Sequence, residues 1–251
     1  MHEQITLYTA KICPFAHRVE LALEEAKAGF TSYEIDLKNK PEWYAPQVNP
    51  ASKVPAIAYG GPQVAPDQPS PDSVKLAESL VLVEFVADLF PDAHILPADP
   101  VKRARARFFI DAVTTRFLPA YMGPVARGTP FEPFWDALEF IQALLPAEAE
   151  GTYAVGNEFT AADIAIAPFL ARMEVWMRHD IGAYPAGEGH KAAEYFFHGP
   201  RFARFVRYFE AIKARESFKV TFHPEVIQNT YSARFKPMRE QLAMQAAATK
   251  A

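Results

Sequence analysis

Cysteine is nearly absent: Cys13 is the only one in 251 residues. An internal disulfide is therefore excluded. A dithiol cycle on a Cys-x-x-Cys pair is excluded too, because Ala16 stands where the second cysteine would be. Any redox chemistry here must borrow an external thiol. The chain also lacks an apolar run long enough to span a bilayer, a glycosylation sequon, and an opening basic segment followed by an apolar one. These absences predict a cytoplasmic protein without membrane contact. No Gly-x-Gly-x-x-Gly, Gly-Lys-Ser/Thr, His-Glu-x-x-His or Gly-x-Ser-x-Gly is present, which leaves nucleotide, metalloprotease and serine-hydrolase readings without support. The seven histidines show no ligand spacing with cysteine, so no metal is expected. The net charge of -4 argues against a nucleic-acid partner, and the arginines between Arg103 and Arg107 read as a solvated helix face or a dimer-contact patch.

What is present can build a sizeable core: half of the residues are hydrophobic and 22% are charged. The first part alternates strand and helix signals. Ile5 to Thr9 is strand-like, Phe15, Val19, Ala22, Leu23 and Ala26 repeat at helical spacing, and Tyr33 to Leu37 alternates again. Further strands are predicted at Pro55 to Tyr59 and Val74 to Leu76, then a helix from Glu78 to Phe90. The intervening Pro-rich segment, Gly60 to Asp72, reads as a surface excursion. From Asp99 onward only helical periodicity remains, with a break expected at Pro119. Phe159-Thr160-Ala-Ala-Asp163-Ile164 forms a capping box with a staple, opening a helix through Trp176. Further helices are predicted for Gly199 to Arg215 and Glu225 to Ala247. The expected organisation is an α+β domain over residues 1–90, a linker over 91–100 and an all-helical domain over 101–251.

Cys13 sits between the first strand and the first helix. Pro14 suits the first helical position, which puts Cys13 at the N-cap, with the free amides of the opening turn near its sulfur. Those amides and the helix dipole favour a thiolate, and His17 and Arg18 add positive charge if their side chains lean back. A buried hydrophobic role is the ordinary state of a free cysteine. The Cys-Pro pair at a helix start tips the balance toward a nucleophile.

Cys13-Pro-Phe-Ala16, Lys38-Asn-Lys-Pro-Glu-Trp43, Lys53-Val-Pro55, Glu78-Ser79 and the Thr160–Asp163 box occur in the order found in the cytosolic glutathione transferases. The chain resembles the omega class most, from the first strand to about Phe218. The resemblance implies a thioredoxin-like N-terminal domain, an all-α C-terminal domain, glutathione as co-substrate and a homodimer. It makes Cys13 the catalytic cysteine, which forms a mixed disulfide with glutathione. It places Phe15 beside the tripeptide, Lys40 on the glycine carboxylate, the Val54 backbone against the cysteinyl moiety, Pro55 as a cis proline, and Glu78 with Ser79 at the γ-glutamyl end. The residue types suit the ligand, since glutathione carries two carboxylates and one ammonium.

The implied activity is thiol transfer: deglutathionylation, and by the same cycle reduction of dehydroascorbate. Acceptor-pocket candidates are Tyr121, Met122, Phe169, Arg172 and Trp176, although any aromatic among them is as well explained by core packing. Two alternatives stand beside this reading. One is a ligandin that binds aromatic or polyphenolic compounds through some of its 20 Phe and 10 Tyr residues. The other is the glutathionyl-hydroquinone reductase class, which has a similar Cys-Pro-x-Ala-His-Arg motif but carries Trp where this chain has Phe15.

Overall fold

The structure, a computed structural model, describes residues 3–250; Met1, His2 and Ala251, the outer ends of the two expected domains, lie outside the described residues. The chain divides into two compact units. One comprises the chain up to Ala98 together with Glu216–Phe222, the other Asp99–Arg215 together with the chain from His223 onward.

In the first unit the elements run β1 (Ile5–Thr9), α1 (Pro14–Glu25), β2 (Thr31–Glu34), α2 (Tyr44–Gln47), β3 (Ala56–Tyr59), β4 (Val74–Ala77) and α3 (Ser79–Leu89). The sheet order is β2-β1-β3-β4, with β1 parallel to β2, and β3 antiparallel to both β1 and β4. This is the thioredoxin-like arrangement. Every residue of β1 is buried, as a central strand covered on both faces requires. Helices α1 and α3 pack together. Another cluster gathers the rings of Tyr8, Tyr33, Trp43 and Tyr44 at centroid distances of 5.6–6.1 Å.

The second strand lies earlier than the Tyr33 to Leu37 alternation predicts, because pairing with β1 sets it: Thr6 opposes Thr31 and Thr9 opposes Glu34. One further bond, Ile35 N–H to Thr9 O at 2.8 Å, ends the ladder. Asp36 then accepts from the Lys38 amide at 2.9 Å and turns the chain. The Pro-rich segment is tied down at two places. The Tyr8 hydroxyl donates to Pro66 O at 2.8 Å, and Lys75 Nζ donates to the carbonyls of Ser70 (2.5 Å) and Ser73 (2.8 Å).

The helical unit contains α4 (Pro100–Ala112), α5 (Leu118–Met122), α6 (Glu132–Ala143), α7 (Ala161–Arg178), α8 (Glu188–His198) and α9 (Ala203–Lys213). Helix α10 (Glu216–Thr221) returns to the first unit, and α11 (Pro224–Lys250) belongs to the second. The chain does not break at Pro119: π turns at Val113–Phe117 and Gly123–Arg127 flank α5 and absorb its one proline. Helix α7 is buried almost throughout, Asp163 and Arg172 included, so it has no single apolar stripe. Its capping box is formed, with the Asp163 carboxylate accepting from the Thr160 amide at 2.8 Å. Helices α8 and α10 have no counterpart in the sequence-based expectation.

Candidate active site

Cys13 occupies the N-cap of α1 in extended conformation, φ −83 and ψ 118, with Pro14 opening the helix. The Cys13 amide donates to Ala10 O at 2.7 Å, and the His17 amide donates to Cys13 O at 3.1 Å, so the backbone on both sides of the thiol is fixed. The side chain is half-buried, and its Sγ lies 3.8 Å from Val54 O, to which the thiol donates.

Val54 precedes a cis peptide bond to Pro55, in agreement with the resemblance. The turn that delivers Val54 is held at the preceding carbonyl: the Tyr44 hydroxyl (2.7 Å) and Asn49 Nδ2 (2.8 Å) both donate to Lys53 O. Asn49 Oδ1 also accepts from the Ala51 amide at 3.1 Å. One residue earlier, Ser52 has φ 53 and its carbonyl accepts from Lys40 Nζ at 2.5 Å. Lys40 and Cys13 therefore meet the same loop at Ser52 and Val54.

A cleft of about 150 Å³ opens in the first unit, lined by Phe15, Asn49, Lys53, Val54, Pro55, Glu78 and Ser79. Phe15 is 41% exposed there, high for a phenylalanine. Glu78 stands just outside α3 with φ 74 and ψ 113, a conformation that strains any residue except glycine. It is exposed, and its side chain makes no cap to the helix, so helix initiation does not explain the strain. Ser79 is buried, and its Oγ accepts from Arg18 Nη1 at 3.2 Å.

The two basic residues after Cys13 part company. His17 turns toward α10: Nε2 lies 2.9 Å from Thr221 Oγ1, and the ring stacks on Phe222 at 5.9 Å and 15°. Arg18 is buried beside the cleft, its Cζ 5.2 Å from the Phe15 ring centroid. Burial lowers the Arg18 guanidinium to about 10, and the charge of Cys13 pushes the other way. Asn49 and Lys53 are cleft residues to which sequence reading gave no role. Asn49 carried no signal beyond an Asn-Pro turn, and Lys53 stood within the quoted motif without an assignment.

In the helical unit Tyr121, Phe169, Arg172 and Trp176 are all buried. Trp176 Nε1 donates to Tyr121 Oη at 3.3 Å, Phe169 packs edge-on against Tyr121 at 5.7 Å, and Arg172 Nη1 donates to Pro168 O at 3.0 Å. Burial holds the Tyr121 hydroxyl well above its usual range. Met122 is partly exposed. The packing reading of these aromatics accounts for what is seen. Among the described residues no group of three or more His, Cys, Asp or Glu is placed to hold a metal ion, and no helix is long and apolar enough to cross a membrane.

The profile for the glutathione S-transferase N-terminal domain matches residues 12–89, and that for the C-terminal domain matches residues 131–211. Among solved structures, glutathione transferase Omega 1C from Trametes versicolor is 59% identical, with a TM-score of 0.90; the alignment covers 94% of this chain and 98% of that one. Omega 2S from the same fungus, solved in complex with 2,4-dihydroxybenzophenone, is 46% identical over 92% of this chain and 98% of that one, with a TM-score of 0.85. A curated relative, pyrimidodiazepine synthase of Drosophila melanogaster, is 33% identical over 68% of this chain, and the match spans 65% of its own length. The two matched domains fall one in each unit, the first in the sheet-based unit with a cysteine at its first helix and the second in the all-helical one, and the chain belongs to the glutathione transferase family, in its omega class.

Proposed function

We propose that the chain is a glutathione-dependent thiol transferase in which Cys13 is the nucleophile and the cleft of the first unit binds glutathione. The observation that carries this is the placement of the sole thiol at a helix N-cap, 3.8 Å from the Val54 carbonyl that walls the cleft. The residue set suits the tripeptide. Lys40 and Lys53 offer cations for the glycine carboxylate. The Ser79 hydroxyl and the N-terminus of α3 suit the γ-glutamyl carboxylate, and the exposed Glu78 suits the ammonium. The Val54 backbone offers strand-like pairing to the cysteinyl part.

The cycle follows from having one thiol. The Cys13 thiolate attacks the glutathione sulfur of a mixed disulfide R–S–S–G, the S–S bond breaks, and RS⁻ leaves and takes up a proton. A second glutathione, as thiolate, then attacks the glutathione sulfur of Cys13–S–S–G, releasing oxidised glutathione and the Cys13 thiolate. The net exchange is RSSG + GSH to RSH + GSSG, and dehydroascorbate would be reduced by the same two electrons. A homodimer is part of this proposal. It is supported by exposed apolar side chains, Val74 and Val81 in one unit and Val101 and Phe108 in the other, each more than half exposed.

Mass spectrometry after treatment with oxidised glutathione should find one glutathione on Cys13, and Cys13→Ser should abolish thiol transfer; full activity in Cys13→Ser would overturn the proposal. The benzophenone complex of the 46% identical relative favours a second reading, binding of aromatic compounds. Dye binding that is indifferent both to glutathione and to Cys13→Ser would favour it over catalysis.

A further inference from the structure

Arg18 is 2% exposed. A guanidinium is costly to bury unless its surroundings return the lost hydration, and an enzyme that merely needed a helix surface residue at this position would not bury one. Two of its contacts lie on the cleft. Nη1 donates to the Ser79 hydroxyl at 3.2 Å, and Cζ lies 5.2 Å from the centroid of Phe15. Ser79 is the first residue of α3 and Phe15 the second of α1, so one side chain joins the opening turns of both helices. Arg18 opens the second turn of the helix that Cys13 caps, and the attraction is mutual: a negative charge on the sulfur favours the protonated guanidinium, and the guanidinium favours the thiolate.

We propose that Arg18 is a positioning residue of this active site, fixing the Ser79 hydroxyl at one end of the glutathione cleft while supplying the buried positive charge that favours the Cys13 thiolate. This rests on the reading of Cys13 and Ser79 given above. It separates two duties that the sequence alone lends equally to His17 and Arg18, because His17 is engaged by Thr221 and Phe222. It also states why lysine is not equivalent: the planar fork with five donors can hold Ser79 and keep other donors for its neighbours, whereas an ammonium is a compact point charge.

Because Cys13 is the only cysteine, the rate of iodoacetamide alkylation against pH reports its ionisation directly. Wild type, Arg18→Met, Arg18→Lys and Ser79→Ala are compared by this profile and by KM for glutathione, with circular dichroism to check folding. Arg18→Met should move the alkylation midpoint up by about one pH unit and raise KM. Arg18→Lys should leave the midpoint near wild type and still raise KM about fivefold, because charge is kept and the fork is lost. Ser79→Ala should raise KM without moving the midpoint. A folded Arg18→Met with wild-type midpoint and KM overturns the proposal, and if that variant does not fold, an unchanged KM in Arg18→Lys does so. A wild-type protein that takes no glutathione adduct defeats the underlying active-site reading instead, so the two failures are distinguishable.

Discussion

The Tyr44 hydroxyl donates a 2.7 Å hydrogen bond to the Lys53 carbonyl, one residue before the backbone that faces Cys13. The same carbonyl keeps a second donor, Asn49 Nδ2 at 2.8 Å. Tyr44→Phe should therefore cost only about 1 kcal/mol of stability, since no buried acceptor is orphaned. The loosened turn should raise KM for glutathione a few-fold with kcat nearly unchanged. Steady-state kinetics and urea unfolding check both parts, and an unaltered KM would deny the turn its positioning role.

Glu78 offers the opposite trade. Its φ of 74 is a left-handed value that costs a non-glycine residue about 1–2 kcal/mol. Glu78→Gly should stabilise the free protein by about 1 kcal/mol while raising KM for glutathione at least tenfold, because the proposed ammonium partner is gone. Thermal melting with and without glutathione would show it: a higher melting temperature alone, and a smaller shift on adding ligand.

Two aspartates in the helical unit, Asp163 buried and Asp180 partly buried, predict opposite pH dependences. Burial pushes Asp163 up to about 6, against hydrogen bonds from Ala154, Thr160 and Tyr208 that favour its charged form. The native state then holds this proton more tightly than the unfolded chain does. The stability it contributes is full below the unfolded value of about 3.9 and is lost as pH rises through 6. The margin of wild type over Asp163→Asn should shrink between about pH 4 and 6. Denaturant titrations across that range measure it.

Asp180 has the reverse sign. Burial raises it, but the amides of Gly187 and Gly189 and the Arg239 guanidinium, at 2.9 Å each, outweigh burial and hold it below the usual carboxylate range. Gly189 must lack a side chain here, since a Cβ would stand 2.7 Å from Asp180 Oδ1. The stability from Asp180 is present above about pH 4 and lost as pH falls through its depressed value. Asp180→Ala should destabilise by about 1–3 kcal/mol at pH 7, and the gap should narrow on acidification below 4.

How far each feature could be read from the sequence depended on whether its cause was local. The Cys13 N-cap and the Thr160–Asp163 box are set by neighbours within one turn, and both formed as read. The second strand was misplaced because register is fixed by a partner strand, which no period along the chain reveals. Pro119 did not break its helix because neighbouring π turns took up the defect. The short helices α8 and α10 went unread: α10 earns its conformation by packing on α1, and its six residues carry too little periodicity to announce it. Within the cleft, Glu78 and Ser79 stand in a quoted motif, but the guanidinium behind Ser79 comes from a residue 61 positions away.

The return of α10 to the first unit sets a schedule for biosynthesis. His17 meets Thr221 across 204 residues, and the Glu25 carboxylate meets Ser217 Oγ across 192. When Ala98 has left the ribosome, the buried face of α1 still lacks Phe218 and Phe222. At 5–20 residues per second those rings arrive roughly ten seconds later. The nucleophile's own helix therefore completes its packing only after the helical unit has been made as far as Arg215, so a nascent chain cannot finish folding from its N-terminus onward.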